Sequence, residues 1–227
     1  MLDDFGPSLC VAEGPTVSFY GFTYPTRMAV ARLEDGSAWV WSPIALAPGL
    51  AEAVEAVGPV RHIVSPNKIH HLFLAEWARR WPQARLWAPP GLASRRPDLH
   101  FHASLGDEPD TAWADEIDQV VFRGSLAMEE VVFFHRPSRT LIVGDLIQRH
   151  DPAAATGCRG MLMRADGLVG EHGSTPREWR ATFLRRGSAR AARARALAWQ
   201  PERLLIAHGA CAQQDAGRIV EQALSWL

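Results

Sequence analysis

The first part of the chain carries the alternation of hydrophobic and polar residues that is typical of β-strands. Two apolar segments, 27–33 and 38–41, flank residues 34–37, which contain an Asp-Gly pair. Asp-Gly between two apolar runs is a strong signal for a tight hairpin turn. Residues 17–41 are therefore predicted to form an antiparallel meander.

The pattern then changes to strands separated by helices. Apolar residues recur at helical spacing in 48–57 and in 71–81, and a proline follows shortly after each segment. Short apolar strands are predicted at 60–64 and 85–88. Residues 89–113 hold prolines, glycines and scattered charges, which indicate a long surface connection with one or two short helices.

The second half of the chain begins with strands and ends with helices. Strands are predicted at 117–122, 130–134, 140–143 and 203–207, and helices at 176–186, 189–199 and 215–227. This order favours two mixed sheets that pack face to face, with helices outside. The predicted fold is an αββα sandwich of the α/β (α+β) class, formed by one domain over residues 1–227.

Composition narrows the range of partners. The chain has 227 residues, a formal net charge of −1 and a pI near 6.8, so it has no overall field that would attract nucleic acid or an anionic membrane. No apolar run approaches the roughly 18 residues of a membrane span. Cys10, Cys158 and Cys211 lie far apart without a CxxC pair, which favours reduced thiols. We expect a cytoplasmic protein with a small-molecule substrate or ligand and no nucleic-acid or membrane partner; the oligomeric state stays open.

One basic cluster stands out against this neutral background. It lies in a helix-forming segment and consists of Arg185, Arg186, Arg190, Arg193 and Arg195. A solvated helix face explains this cluster better than a surface for phosphate or nucleic acid.

Polar side chains follow or end three of the predicted strands. They are His70-His71, Asp145 and His208. If these strands are neighbours in register, their ends deliver the side chains to one rim, as in many α/β active sites. Imidazole and carboxylate groups are ligands of divalent metals. We therefore predict that His70, Asp145 and His208 bind a metal ion. Because consecutive residues point in different directions, His71 is predicted to position the substrate.

Each of these residues also has an ordinary structural explanation. The two adjacent histidines can cap or pack at the start of the following helix. Asp145 can cap the turn after its strand, and His208 can be a hydrogen-bonded histidine at a turn, where Gly209 permits a positive φ or a close backbone approach. Adjacency of the strands decides between these interpretations.

Glu130 opens the apolar run 130–134, and His135 closes it. Strand side chains alternate between faces, so these two cannot both face one site. A buried ion pair with Arg27 or Arg139 is the expected role of Glu130. Contact with a substrate is the alternative.

Three segments, 64–71, 140–146 and 205–209, resemble motif positions of the metallo-β-lactamase superfamily in order and setting. Residues 65–77, together with 133–135 and 138–147, are more similar to an uncharacterised bacterial branch of that superfamily, known as a domain of unknown function. The resemblance spans nearly the whole chain. It implies the αββα fold and a metal-dependent hydrolase ancestry.

The chain departs from the superfamily at its metal ligands. The motif H-x-H-x-D-H places Ser65 and Asn67 at the first two histidines, Ile69 at the aspartate and His70 at the last histidine. A further family histidine falls near Ser125. Too few donors are left for two ions. The resemblance therefore implies either one zinc, iron or manganese ion, held by the three predicted ligands, or a relic that binds no metal.

Two hypotheses about function follow. In the first, a mononuclear hydrolase, the three predicted ligands hold the ion, its water attacks an ester-like or amide-like substrate, and His71 or Asn67 orients that substrate. Asp145 and His71 are then the catalytic residues, with Asn67 and Glu130 on the substrate side. In the second, a metal-free member of the fold uses the same cleft to bind a ligand or an interaction partner.

Overall fold

A computed structural model of the protein describes residues 1–19, 22–153 and 155–227. In chain order the strands are β1 (Asp3–Gly6), β2 (Leu9–Glu13), β3 (Val17–Phe19), β4 (Phe22–Tyr24), β5 (Arg27–Arg32), β6 (Ala38–Trp41), β7 (Val60–Val64), β8 (Arg85–Ala88), β9 (Ala103–Ser104), β10 (Ile117–Phe122), β11 (Glu130–His135), β12 (Thr140–Val143) and β13 (Arg203–Ile206). The helices are α1 (Leu50–Val57), α2 (Leu74–Arg80), α3 (Leu92–Arg95), α4 (Gly157–Ala165), α5 (Arg177–Ala181), α6 (Arg186–Ala198) and α7 (Ala216–Ala223).

The strands form two mixed sheets and a separate hairpin. In the described residues, the first sheet has the order β1-β2-β5-β6-β7-β8-β9, antiparallel as far as β6 and parallel from there. The second sheet has the order β10-β11-β12-β13, in which only β12 and β13 run parallel. The hairpin consists of β3 and β4. Two mixed sheets are therefore confirmed.

Three layers of hydrophobic side chains hold the sandwich together. Trp39 and Trp41 of β6 face Phe133 of β11 in the layer between the sheets. Their neighbours Ala38 and Val40 pack on the other side, against α1, α2 and α3. The outer face of the second sheet packs against α5, α6 and α7. Because both faces of each sheet are covered, the central strands are apolar throughout, as buried strands are. The αββα prediction is confirmed.

Several boundaries differ from the sequence prediction. The strands β1 and β2 and the helix α4 were not predicted. Met161 and Leu162 of α4 are exposed, so its apolar residues do not mark a buried face. The helix predicted at 176–186 ends at Ala181, and the chain after it forms an isolated antiparallel bridge between Phe183 and Ser125, which lies in the loop after β10. None of the helices in the described residues combines the length and apolar character that crossing a membrane requires.

The arginines of α6 bind the C-terminal part of the chain. Arg186 and Arg193 donate to the carbonyl oxygens of Trp226 and Glu221, at 2.9 and 2.8 Å, and Arg190 donates to that of Leu227. Lys and Arg side chains at helix C-termini satisfy carbonyls that lack a helical partner. This arrangement favours a structural role for the basic cluster.

We predict that Phe133→Ala lowers the free energy of unfolding by about 3–5 kcal/mol, since Phe133 is fully buried between the sheets and its loss leaves a cavity. Urea denaturation measures this change. Leu126→Ala is the control, because the Leu126 side chain is 77% exposed and its truncation should change stability by less than about 0.5 kcal/mol. Equal effects of the two substitutions would contradict the assigned core.

We also predict an acid-sensitive contribution from His135, whose burial lowers its pKa to about 4 from an ordinary value of 6.5. Between these values the unfolded chain binds the proton more readily than the folded protein, so stability falls as pH falls. His135→Gln removes this dependence. The difference in the free energy of unfolding between the natural protein and the His135→Gln protein should therefore decrease by on the order of 3 kcal/mol from pH 7 to pH 4. Urea denaturation across this range tests it, with the exposed His100→Gln as control.

Candidate metal centre

The strand pairing of the two sheets brings the three predicted ligands together. Val143 lies opposite Ile206 in the parallel pair β12 and β13, so Asp145 and His208, each two residues further on, leave the second sheet side by side. His70 comes from the first sheet, in the loop after β7. That loop crosses to the second sheet, where the carbonyl of Pro66 accepts a hydrogen bond of 2.8 Å from the Val131 amide. The predicted convergence is confirmed.

The ligand atoms of His70, Asp145 and His208 all lie within 4.8 Å of one another. Asp145 is in the middle. Its Oδ2 is 3.1 Å from Nε2 of His70, and its Oδ1 is 3.3 Å from Nε2 of His208. The two imidazole rings are 5.2 Å apart. Two imidazoles and a carboxylate around one point form a donor set that divalent metals accept. We call these residues the metal trio.

The outer nitrogens of both imidazoles are held by groups from the first half of the chain. Nδ1 of His208 is 2.7 Å from the carbonyl oxygen of Pro25, and Nδ1 of His70 is 2.8 Å from the hydroxyl of Ser42. A carbonyl only accepts, so Nδ1 of His208 carries the hydrogen and Nε2 of the neutral ring presents a lone pair. That lone pair points at a carboxylate, which is an unfavourable pairing unless a cation lies between them. The trio therefore fits a metal ion, and the outer contacts are those that commonly orient metal-bound histidines.

Beneath the metal trio, Glu130 is fully buried and saturated with hydrogen bonds. Its Oε1 accepts from the backbone amides of Gly144 and Leu146, at 2.9 and 3.2 Å, and its Oε2 accepts from the Asp145 amide at 2.7 Å and from the Asn67 side chain at 2.8 Å. A β-carbon at Gly144 would come within 2.9 Å of Oε2, so this close approach requires glycine.

The ion pair expected for Glu130 was wrong. Arg27 pairs with Glu13, and Arg139 pairs with Glu202, so neither arginine reaches it. Backbone amides and an amide side chain take the place of the cation, because the turn after β12 directs three N–H groups at the carboxylate. The placement of Glu130 below the site favours a positioning role over contact with a substrate.

Asn67 connects the two carboxylates. Its Nδ2 lies 2.8 Å from both Glu130 Oε2 and Asp145 Oδ2, while its Oδ1 accepts from the backbone amides of Ile69 and His70. The side chain is fully buried. Asn67 therefore shapes the loop that carries His70 and orients the Asp145 carboxylate, which again favours positioning over substrate contact.

Ser65 and Ser125, which the motif resemblance placed at ligand positions, also have structural roles. The hydroxyl of Ser65 lies 2.9 and 2.8 Å from the carbonyl oxygens of Asn67 and His70, inside the same loop. The hydroxyl of Ser125 is 2.7 Å from that of Thr182 and accepts from Trp179 Nε1 at 3.0 Å. At both positions the hydroxyl stabilises a loop through hydrogen bonds.

The buried charges shift one another's pKa. Burial and the nearby Asp145 carboxylate raise the pKa of Glu130 to about 7. Burial opposes the ionisation of Asp145, but His70 and His208 hold its pKa well below the usual range. Burial opposes protonation of His70, yet Asp145 and Glu130 raise its pKa overall. Burial lowers the pKa of His208. Asp145 is therefore the anionic centre of the site.

His71 points away from the metal trio, as predicted for consecutive residues. Its Nε2 accepts a hydrogen bond of 3.1 Å from Nε of Arg95, and its carbonyl accepts one of 2.9 Å from Arg96. Burial, with the positive charges of Arg95 and Arg96, lowers the pKa of His71. A neutral imidazole is thus presented beside two guanidinium groups.

A cleft with a volume of about 610 Å³ opens above the metal trio. The trio and His71 line it, whereas Asn67 and Glu130 do not. Most of the wall is apolar and includes Val17, Ile69, Leu72, Phe73, Met128, Pro176 and Trp179. A mostly apolar cleft with a few convergent polar groups is typical of a site for a small molecule.

Residues 16–158 match the family described as a domain of unknown function, DUF4336. This match covers more than half of the chain. The chain belongs to the DUF4336 family. The matched segment includes His70 and Asp145, while His208 lies beyond it. No curated protein matches the chain in sequence.

The DUF4336 chain has the metallo-β-lactamase fold. The metallo-β-lactamase DIM-1 superposes with a TM-score of 0.66 at 13% identity, over 98% of this chain and 95% of that one. The metallo-β-lactamase from Pontibacter korlensis gives 0.65 at 12% identity, over 99% and 98%. FIM-1 from Pseudomonas aeruginosa, solved in a mono-zinc form, gives 0.64 at 11% identity, over 98% and 93%. The resemblance drawn from the sequence is confirmed for the fold and for an uncharacterised family.

Sequence reasoning missed the groups that orient the imidazoles. Ser42 follows β6, which runs parallel to β7, so it reaches the same edge of the first sheet as the loop that holds His70. A polar residue directly after the buried run 38–41 was the available signal. The Pro25 carbonyl gave no such signal, because a backbone oxygen leaves no trace in the residue pattern.

We predict that Glu130→Gln lowers the free energy of unfolding by about 2–4 kcal/mol, because each carboxylate oxygen accepts two hydrogen bonds and an amide nitrogen can replace neither oxygen. Urea denaturation at pH 8 measures the change. Glu129→Gln, which alters the same charge one residue earlier, is the matched control and should cost less than about 0.5 kcal/mol. A Glu130→Gln protein as stable as this control would contradict the assigned role.

Proposed function

We propose that this DUF4336 protein is a mononuclear metal-dependent hydrolase that acts on a small ester-like or amide-like substrate. One observation carries the proposal. Nε2 of His208, whose Nδ1 is committed to the Pro25 carbonyl, faces the Asp145 carboxylate at 3.3 Å without a hydrogen bond between them. The third donor, His70, comes from the opposite sheet. Lone pairs that face one another at the floor of an apolar cleft indicate a place for a cation.

In this proposal His70, Asp145 and His208 hold one zinc, iron or manganese ion. When bound, a divalent ion supplies a Lewis acid and lowers the pKa of a coordinated water. Glu130 and Asn67 act as positioning residues, since they fix the backbone and the carboxylate of Asp145. The apolar cleft excludes bulk water from the reacting groups, which strengthens the electrostatic interactions there.

His71 is the proposed substrate-orienting residue. It lines the cleft beside the metal trio, and Arg95 and Arg96 fix its ring from the other side. Because guanidinium groups face both ring nitrogens, the ring is held in one orientation and kept neutral, and its exposed face is suited to packing against a substrate. This arrangement supports the separation of metal binding and substrate orientation between two adjacent histidines.

A second function has support from a different observation. The hydrogen bonds among Asn67, Glu130 and Asp145 are complete without any ion, and His70 Nε2 is within hydrogen-bond distance of Asp145. A protonated His70 paired with Asp145 would stabilise the site in a metal-free ligand-binding protein. The same cleft would then bind a small molecule without chemical turnover.

Metal analysis tests the first function. Protein treated with a chelator and titrated with Zn²⁺ or Mn²⁺ is expected to bind one ion per chain, measured by calorimetry and by elemental analysis after gel filtration. His208→Ala and Asp145→Asn should each weaken binding by roughly 100-fold or more, because each removes a ligand. His100→Ala, at an exposed histidine, should leave it unchanged. Folded natural protein that binds neither of these ions nor Fe²⁺ would exclude the hydrolase and leave the ligand-binding function.

A further inference from the structure

We propose that the cleft takes a small organic acid, an apolar body with one carboxylate, whose anionic group is held by Lys68 and Arg95. This inference deepens the proposed function by naming its substrate class, and it rests on that function only for the claim that the ligand is turned over. Both cations line the same cleft as the metal trio.

Lys68 and Arg95 lie on one wall of the cleft. A β-carbon built on Gly91, the residue before α3, would be 3.7 Å from Cδ of Lys68, so the lysine stem packs against the start of this helix. Arg95 is the last residue of α3. His71 lies between these elements in the same wall and accepts a hydrogen bond from Nε of Arg95. The loop after β7 and α3 therefore bring both cations to the same side of the cleft.

Neither cation is neutralised. Among the described residues, Lys68 has no hydrogen-bond or ion-pair partner, and the terminal guanidinium nitrogens of Arg95 have none either. The other arginine that lines the cleft, Arg27, is different. It pairs with Glu13 and donates to the carbonyl of Gly209. Arg96, which follows Arg95 in the sequence, is also paired and forms a salt bridge with Asp98. The free positive charges that line the cleft are thus those of Lys68 and Arg95.

The carboxylates of the cleft do not cancel this charge. Asp145 is engaged with His70 and Asn67 at the floor. Glu178 belongs to α5, which packs against the second sheet. The helix α3 and the loop that precedes α2 pack against the first sheet. The cation wall and the Glu178 wall are therefore different sides of the cleft. An anion beside Lys68 and Arg95 gains charge-assisted hydrogen bonds, and arginine is suited to a planar carboxylate.

The remaining side chains that line the cleft are mostly apolar, so the ligand is expected to have an apolar body. Leu72 is adjacent to His71, lines the cleft and is 57% exposed, so it adds apolar surface to this side. Phe73, Met128 and Trp179 continue the apolar lining. Such a surface loses its contact with water when an apolar ligand covers it. A fully polar anion such as inorganic phosphate would leave this surface uncovered.

Calorimetry with the chelator-treated full chain tests the inference independently of metal and turnover. The probes are 4-phenylbutyrate and its neutral amide, 4-phenylbutanamide, which differ only in the anionic group. The acid is expected to bind roughly tenfold or more tightly than the amide, and this preference should weaken as salt is raised. The double variant Lys68→Met/Arg95→Met should bind both probes with the affinity of the amide.

Arg61→Met/Arg79→Met is the matched control, because it removes the same charge from exposed positions outside the cleft. It should retain the preference for the acid. Equal binding of acid and amide by the natural protein, or a preference that survives in Lys68→Met/Arg95→Met, would overturn the assignment.

Phenyl phosphate is a third probe. It is expected to bind no more tightly than 4-phenylbutyrate if the assignment is right. Tighter binding of phenyl phosphate that is lost in Lys68→Met/Arg95→Met would mean that the same two cations select a phosphate, and the carboxylate assignment would be wrong. Failure of metal binding would remove turnover and leave these results unaffected.

Discussion

The buried carboxylate of Glu130 is the interaction on which the site depends. It begins β11, accepts three amides of the turn after β12, and accepts the side chain of Asn67 from the loop after β7. Removing a carboxylate from water costs several kcal/mol unless its lone pairs are satisfied. Here the satisfied lone pairs tie both sheets together at one edge. Asp145 consequently has both its backbone and its side chain fixed, and the two histidines meet it from opposite sheets.

The loop after β7 is held by its own polar side chains. Ser65 hydrogen-bonds the loop's backbone, and Asn67 hydrogen-bonds both the backbone and the carboxylates below it. The amide of Asn67 lies between the carboxylates of Glu130 and Asp145, so a neutral donor inside the protein stabilises both groups. His70, Asp145 and His208 are therefore presented on a scaffold that is already hydrogen-bonded.

The cleft above the metal trio is asymmetric. The first sheet contributes the loop with Lys68 and His71 and the short helix with Arg95, and the second sheet contributes Trp179 and Glu178 on α5. The metal trio lies at the floor, where both sheets meet, whereas the neutral imidazole and the free cations lie on the side of the first sheet. A cleft with a few polar groups and a mostly apolar wall can orient a small molecule in one direction.

Local patterns in the sequence determined most of the architecture. The Asp-Gly hairpin, the apolar strands and the strand-end histidines and aspartate can be read from alternation and spacing, because these depend on neighbours in the chain. The weakly patterned β1, β2 and α4 could not. Only the tertiary structure decided that Val143 pairs with Ile206, that Glu130 accepts backbone amides in place of an arginine, and that the Pro25 carbonyl sets the tautomer of His208. Each of these contacts joins residues far apart in sequence, and their energies depend on distances that no one-dimensional pattern contains.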